Sequence, residues 1–411
     1  MKSFFASVEC VERGLDPMKE NLVVADPDRS DKTICLAITP AMKAQGIKNR
    51  CRMFEIPKDV KFIVAPPRMK LYIEYAAEIY AIYLKYISKD DMHVYSIDEV
   101  FIDVTNYLAL YKKTPKEMAI MLMDDVFNSL GIRAACGIGT NLYLAKIALD
   151  ITAKHSKDFI GYLDEELYKK TLWNHKPLTD FWRVGVGTKK RLETLGIYTM
   201  GDIARANEDA LYKKFGIDAE LLIDHANGIE PVTIKDIKNY KSKTNCLSRG
   251  QVLMHDYNFS DAELIVKEMT DLLCLDLVEK ELVTKSVTLV VGYSNQAEKP
   301  SAKGTFSLAS ETNSNDVLRK EISKLYKNIV NKETPVRRIT ITFNNVVHEN
   351  GRQISLFDSA DTIGKNKELQ STMIKIKHKF GKNAAIKGMN LEENATTMER
   401  NRQIGGHKSG E

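Results

Sequence analysis

Asp98 and Glu99 stand side by side in an apolar, largely β-branched run that includes Val94, Ile97, Val100, Phe101, Ile102 and Val104. Such side chains favour strands, because they pack well on a pleated, half-buried surface. Two carboxylates in that setting are costly unless something positive stands beside them. A divalent cation is one candidate, since hard oxygen donors suit Mg2+ or Mn2+. The other reading is a tight turn with two solvated acids at its tip. Further along the surface chemistry is cationic. Lys43, Lys48, Arg50 and Arg52 surround a strand-to-helix turn, which suits phosphate as well as it suits a solvated loop. Lys146 lies among Leu144, Ala145, Ile147 and Ala148, either snorkelling to the surface or reaching a phosphate at a sheet edge.

These residues need elements to carry them. At 411 residues, 44% hydrophobic and 28% charged, the chain has the composition of a globular protein with two to four domains. A net charge of +5 permits a polyanionic partner without demanding one. The six cysteines are scattered without zinc spacing and read as reduced thiols of a cytoplasmic protein. No window approaches 18 apolar residues and no signal peptide is present, so no membrane partner is expected.

In chain order the patterns predict a strand at 33–38, a short helix at 41–45 stopped by Gly46, and a helix at 71–86. Strands around Asp98 and Glu99, a helix at 115–130, a strand at 132–139 and a helix at 141–151 follow. From Asp164 to Asp236 the chain reads as short helices. Within them Val184-Gly185-Val186-Gly187-Thr188-Lys189-Lys190 resembles a helix-hairpin-helix. Glycines let backbone amides approach a phosphate there, and Lys189 and Lys190 add charge; an ordinary αα-hairpin is the alternative. Beyond a basic linker at 239–243 the order β-α-β-β-α-β is a ferredoxin-like split motif, with a capping box at Ser260 opening its first helix. Gln353-Ile354-Ser355-Leu356-Phe357 then forms an apolar peptide that plugs a partner's pocket or packs back on its own domain. The tail from Gly364 carries ten Lys/Arg against five Asp/Glu, and its last dozen residues are expected to be mobile.

Tyr95-Ser96-Ile97-Asp98-Glu99 resembles the SIDE motif of the Y-family translesion DNA polymerases, in the UmuC-like (ImpB/MucB/SamB) branch. Met1 to Glu9 is similar to that family's first palm motif, and Gly137 to Ala148 to its third. The hairpin at Gly185 and Gly187 falls where the thumb motif should. The resemblance implies an α+β right-hand architecture. Its palm would span 1–9 and 76–163, small fingers 10–75, a helical thumb 164–238 and a β-α-β-β-α-β little finger 243–348. A tail at 349–411 would carry a clamp-binding motif. The implied activity is DNA-templated nucleotidyl transfer across damaged templates in an SOS-type response, assisted by two Mg2+ ions, with Mn2+ as a substitute. Asp98 and Glu99 would be the catalytic carboxylates and, with the Met1 carbonyl, the metal ligands. Phe5 matches the steric gate that excludes a ribose 2′-OH, and Phe4 would pack beside the triphosphate. Lys43 and Lys146 match the two triphosphate-binding positions. At the first, the wider family often has Arg with a Tyr three residues earlier; Lys43 and Pro40 keep the charge and lose the fork. Gly185, Gly187, Lys189 and Lys190 would hold DNA; Gln353, Ser355, Leu356 and Phe357 would bind the bacterial sliding clamp. Implied partners are damaged primer–template DNA, dNTPs, that clamp and accessory SOS proteins.

One departure bears on activity. The family's first motif has an aspartate just before the position of Met1, at the end of a palm strand that is absent from this sequence. Either the natural chain extends about ten residues upstream, or this is a catalytically impaired relative that still binds DNA and the clamp.

Overall fold

The computed structural model describes all residues except 29–31, 243–244, 350–359 and 411. The chain divides into two compact units, Met1–Tyr240 (with Ser409–Glu411) and Lys241–Lys408. Among the described residues no helix is long and apolar enough to cross a membrane.

In the first unit α1 (Phe4–Val11) buries six of its eight residues, including Glu9. A helix apolar on nearly all sides belongs inside a core. Beside it a small sheet has the order β2-β1-β3, formed by β1 (Leu22–Val24), β2 (Ala37–Ile38) and β3 (Ile63–Ala65). β1 runs antiparallel to β2 and parallel to β3. The short helix α2 (Pro40–Ala44) starts on a proline whose missing N–H costs nothing at a first turn. α3 (Met69–Leu84) then leads to a hairpin, β4 (Met92–Val94) paired with β5 (Val100–Ile102). α4 (Thr105–Tyr111) and α5 (Pro115–Leu130) follow. α5 begins in a reciprocal capping box between Thr114 and Glu117 and ends at Gly131, whose φ of 68° suits a residue without Cβ.

β6 (Cys136–Gly139) pairs in parallel with β7 (Ile160–Leu163). α6 (Leu142–Ile147) lies directly on β6, where a Cβ on Gly137 would meet the Ala145 carbonyl at 2.0 Å. α6 opens on Asn141, whose side chain accepts from Leu144 N at 2.8 Å, and runs into a π turn at Ala148–Thr152. Six helices complete the unit: α7 (Glu165–Leu172), α8 (Val186–Glu193), α9 (Met200–Arg205), α10 (Glu208–Phe215), α11 (Asp218–Asn227) and α12 (Ile234–Asn239). Tyr143, Tyr168, Phe181, Leu192 and Met200 lie in the core shared by α6 and these helices.

Among the described residues β5 pairs only with β4, and β6 only with β7. A slot of about 390 Å³ is bordered by both strands and lined by Val100, Ile102, Leu122, Cys136, Ile138 and Leu149. The backbone of residues 1–2 links the two half-sheets, with Met1 N donating to the Asp98 carbonyl at 2.7 Å and Lys2 N to that of Arg133 at 3.0 Å.

The second unit is built on β8 (Leu247–Tyr257), α13 (Phe259–Glu279), β9 (Leu282–Tyr293), β10 (Ala302–Thr312), α14 (Asn315–Ile329) and β11 (Val336–Asn344). Its sheet order is β10-β9-β11-β8 with every neighbour antiparallel. The expected β-α-β-β-α-β order therefore holds. The capping position differs: Asn258, not Ser260, caps α13 by accepting from Asp261 N at 2.9 Å. Alternate residues Val287, Leu289, Val291, Ile339, Ile341 and Phe343 share one core with residues of α13 and α14. Short β12 (Val347–His348) adds to β9, and α15 (Ala360–Phe380) packs on α13. The end of the chain, expected to be mobile, instead forms α16 (Thr397–Asn401) and a hairpin of β13 (Gln403–Ile404) with β14 (His407–Lys408).

Candidate functional site

Asp98 and Glu99 sit in the turn that joins β4 to β5, where Tyr95 N and Ser96 N both donate to the Glu99 carbonyl at 3.0 and 3.1 Å. The apolar run is thus two short strands, and the chain reverses at Ser96-Ile97-Asp98. Ser96 Oγ donates to Asp98 Oδ1 at 3.0 Å. Glu99 is more tightly held: Lys146 Nζ donates to both of its carboxylate oxygens at 2.8 Å. Lys146 reaches this point from α6, buried at 7% exposure, and also donates to Asp150 of the π turn at 3.3 Å. Burial alone would lower its pKa, but the bonds to Glu99 and Asp150 prevail and hold it above the ordinary lysine value.

This geometry corrects the expectation of two Mg2+ or Mn2+ ions held by Asp98, Glu99 and the Met1 carbonyl. Among the described residues no group of three or more His, Cys, Asp and Glu is assembled to hold a metal. The Glu99 carboxylate is already compensated by a buried ammonium. The donors present do not fit two divalent cations.

The Phe5 ring stacks on Tyr72 with centroids 4.6 Å apart and planes 17° from parallel. Tyr72 is fixed in turn, since its hydroxyl donates to Glu9 Oε1 at 2.8 Å. Arg68 grips the same carboxylate with Nε at 2.9 Å and Nη2 at 2.8 Å, and Arg13 adds a further ion pair. Phe4 is in the core at 3% exposure, so it supports α1 by packing. Lys43 stands exposed on α2, in the field of Asp98 and Lys154. Desolvation and the nearby cations Lys43 and Arg133 also lower the pKa of Lys2. Lys2, Lys43, Arg133 and Lys154 thus form a basic group beside the hairpin tip. Sequence reasoning missed Lys2, Lys154, Tyr72 and Glu9, since they lie far apart along the chain and carry no local pattern that joins them.

In the helical region Gly185 precedes α8 and Gly187 is in its first turn. A Cβ at either would meet nothing within 4 Å, so internal packing does not require glycine there. Bare backbone at a helix start leaves amide N–H groups reachable by an anion. Lys189 bonds loosely to Glu193 at 3.6 Å, and Lys190 lies on the same short helix. Gln353, Ser355, Leu356 and Phe357 lie outside the described residues.

Comparison with known proteins agrees with this architecture. Residues 1–150 match the impB/mucB/samB family and residues 247–356 match its C-terminal domain. The chain is 30% identical over 414 residues to a putative UV-damage repair protein, UvrX, of Bacillus subtilis, covering 100% of this chain and 96% of the relative. It is 31% identical over 412 residues to DNA polymerase IV 2 of the same organism, covering 99% and 97%. Among solved structures, a Y-family polymerase chimera of Dbh and Dpo4 superimposes with a TM-score of 0.65 at 20% identity, over 84% of this chain and 97% of the chimera. The fold accordingly has palm-like sheets, a helical thumb region and a little-finger-like antiparallel sheet, and the chain belongs to the impB/mucB/samB family of Y-family DNA polymerases.

Proposed function

We propose that this chain binds primer–template DNA and accepts nucleotides in the manner of its family, with impaired nucleotidyl transfer. The observation that carries this reading is the Glu99–Lys146 pair. The carboxylate expected to serve the reaction is bonded to a buried lysine that Asp150 shares, and no group of three acids is assembled to hold a metal among the described residues. The binding features remain: Phe5 as a gate, Lys43 and Lys146 for a triphosphate, and Gly185, Gly187, Lys189 and Lys190 for a DNA backbone. The open face of the little-finger-like sheet bears Ser248, Thr288, Thr305, Thr340 and Thr342, with Lys303 and Arg338 on the same face. Short hydroxyls and cations are suited to phosphate contacts that carry no sequence information. The palm, fingers, thumb, little-finger and tail boundaries given above belong to this proposal. So do a sliding-clamp tether at Gln353–Phe357, accessory SOS proteins and a cytoplasmic site of action.

Labelled primer–template is the test. The chain is expected to shift it while leaving the primer length unchanged in the presence of dNTPs and Mg2+. Extension at a rate typical of polymerases, about 1 s⁻¹ or faster, would overturn the impairment. Changing Lys189 and Lys190 together to Ala should weaken binding on every sequence and flatten the dependence of log affinity on log salt by about 1 per lost phosphate contact. An unchanged salt slope would remove the hairpin from the DNA interface.

For the nucleotide, Lys146→Met is expected to lower dNTP affinity for the DNA complex by about 1.5–3 kcal/mol, the range for a hydrogen bond to a charged group. Equal dNTP affinities in a fluorescence titration would sink that role. Lys2 and Lys43 have depressed pKa values, so their positive charge is lost as pH rises through them. Triphosphate affinity should therefore start to fall below the ordinary lysine value of 10.5.

A further inference from the structure

Cys35 and Cys51 oppose one another at the base of the segment that carries Lys43. Ile34 and Arg52 form an antiparallel bridge, flanked by Cys35 N donating to the Cys51 carbonyl at 2.8 Å and Met53 N to that of Thr33 at 3.1 Å. Residues 35 and 51 are thus cross-strand partners joined by one backbone hydrogen bond, while Cys51 N turns to the Lys48 carbonyl at 3.3 Å. Such partners stand about 5.5 Å apart at Cα. A disulfide needs about 4.4–6.8 Å, with both side chains on one face, as cross-strand partners have them. Both thiols are buried in the core around Val23, Ile38 and Met42, and both are reduced. Cys51 is near enough to act electrostatically on the Cys35 thiol. Met53 Sδ lies 3.5 Å from Cys35 Sγ, so the surroundings are soft and apolar.

We propose that Cys35 and Cys51 are a reversible cross-linking site at which oxidation by hydrogen peroxide staples the base of the 36–50 segment. One thiol attacks the peroxide O–O bond, giving a sulfenic acid and one water. The second sulfur then attacks the sulfenic sulfur, the S–S bond forms and the second water leaves. Two thiols lose two electrons and two protons in all, and the peroxide is reduced to two waters. A dithiol reverses the step by thiol–disulfide exchange. The loop so closed contains α2 with Lys43, Lys48 and Arg50, so the staple acts on the most cationic part of this region. The site goes beyond the DNA- and nucleotide-binding reading and does not depend on it.

The same burial sets the tempo. It pushes the Cys35 thiol up to about 12, with Cys51 adding to the effect. Little thiolate exists in the closed state, and thiolate is the nucleophile. Oxidation therefore proceeds through local opening of the segment and is slower than at Cys246, which is exposed. In a reducing compartment the bond would be transient.

The test uses the full chain carrying Cys246→Ser, which removes the exposed thiol and its intermolecular products. After hydrogen peroxide treatment, free thiols are alkylated and peptides are mapped by mass spectrometry without reduction. The expected product joins the Cys35 and Cys51 peptides, is two hydrogens lighter than the pair, and disappears with dithiothreitol. Amide exchange across 36–50 should slow on the order of tenfold in the cross-linked protein. Three outcomes overturn the site: both cysteines recovered as alkylated thiols after prolonged oxidation, sulfinic acid without cross-link, or pairing with Cys10, Cys136 or Cys274. Exchange that is unchanged in the cross-linked protein overturns the staple.

Discussion

Glu9→Ala is expected to destabilise the first unit by about 3–5 kcal/mol, the cost of removing one partner from a buried ion pair, and to free the Phe5 ring. Glu9 is fully buried in α1, yet three side chains converge on its carboxylate: Arg68, Arg13 and Tyr72. Without it the Arg68 guanidinium, about a third exposed, loses its bidentate partner, and the Tyr72 hydroxyl loses its acceptor. The ring beneath Phe5 is then no longer pinned. Tyr72→Phe separates the two effects, because it keeps the stacked ring and removes only the anchor. We expect it to cost about 1.5–3 kcal/mol, the range for a hydrogen bond to a charged group, since Arg68 Nε still donates to Glu9 Oε1. If Phe5 is the sugar gate, Tyr72→Phe should also narrow the ratio of rNTP to dNTP dissociation constants, a change that general loss of stability does not produce.

Acid makes the same point on the unaltered protein. Burial alone would raise the Glu9 pKa, but the bonds from Arg68, Arg13 and Tyr72 hold it below the ordinary carboxylate value. A depressed folded-state pKa contributes stability that is fully present above the unfolded value of 4.5 and is lost as pH falls through the lowered one. Glu9→Gln cannot ionise and should lack that part of the acid limb. Urea denaturation of both proteins at neutral pH and below pH 4.5 checks this; parallel loss of stability in the two would remove Glu9 from the account.

Glu268→Ala should have a comparable effect in the second unit, about 3 kcal/mol, because it leaves several buried donors without an acceptor at about 1–3 kcal/mol each. Glu268 projects from α13 at 1% exposure and accepts from Asn390 Nδ2 and Thr396 N, both at 2.8 Å. The Thr396 hydroxyl and Thr397 N complete the set, each at 3.3 Å. One carboxylate therefore satisfies two backbone amides at the start of α16 and fastens the end of the chain to the little-finger-like domain. Negative charge at a helix start is favourable besides, although α16 is short. Nearby, Arg400 donates to Gln251 and Lys387 pairs with Asp271 at 2.8 Å, so the segment is tied at several points. Glu268→Gln is a poor rescue, since an amide nitrogen would face amide donors. Hydrogen exchange over 387–404 reads the outcome directly: exchange rising by a hundredfold or more corresponds to the stated loss, and unaltered protection would show that the tail docks by other means.

Much of the molecule was legible because its signals are local. Pro115 in the first turn of α5, the Asn141 cap of α6 and Gly46 just past α2 mark their helices from within about one turn. The alternation of β9 and β11 and the order of elements in the second unit follow from side-chain period alone. Errors came where local patterns tie. Asp98 and Glu99 fit a strand interrupted by acids and a turn tipped by them equally well, and the backbone took the turn. Asn258 and Ser260 are both good caps, and the choice rests on where Phe259 is needed, packed with its ring 4.9 Å from Tyr326.

By itself, then, the sequence determined the family and the order of elements in the second unit, since motif spacing and periodicity are written along the chain. Tertiary structure alone decided which charges meet. Lys146 finds Glu99 across 47 positions, and Glu9 gathers Arg68 and Tyr72 across 59 and 63. Each could have been solvated, and each finds opposite charge because packing brings the partners to one partly desolvated place, where an unpaired charge is too costly to leave. That pairing turned Glu99 from an expected metal ligand into the partner of a buried lysine.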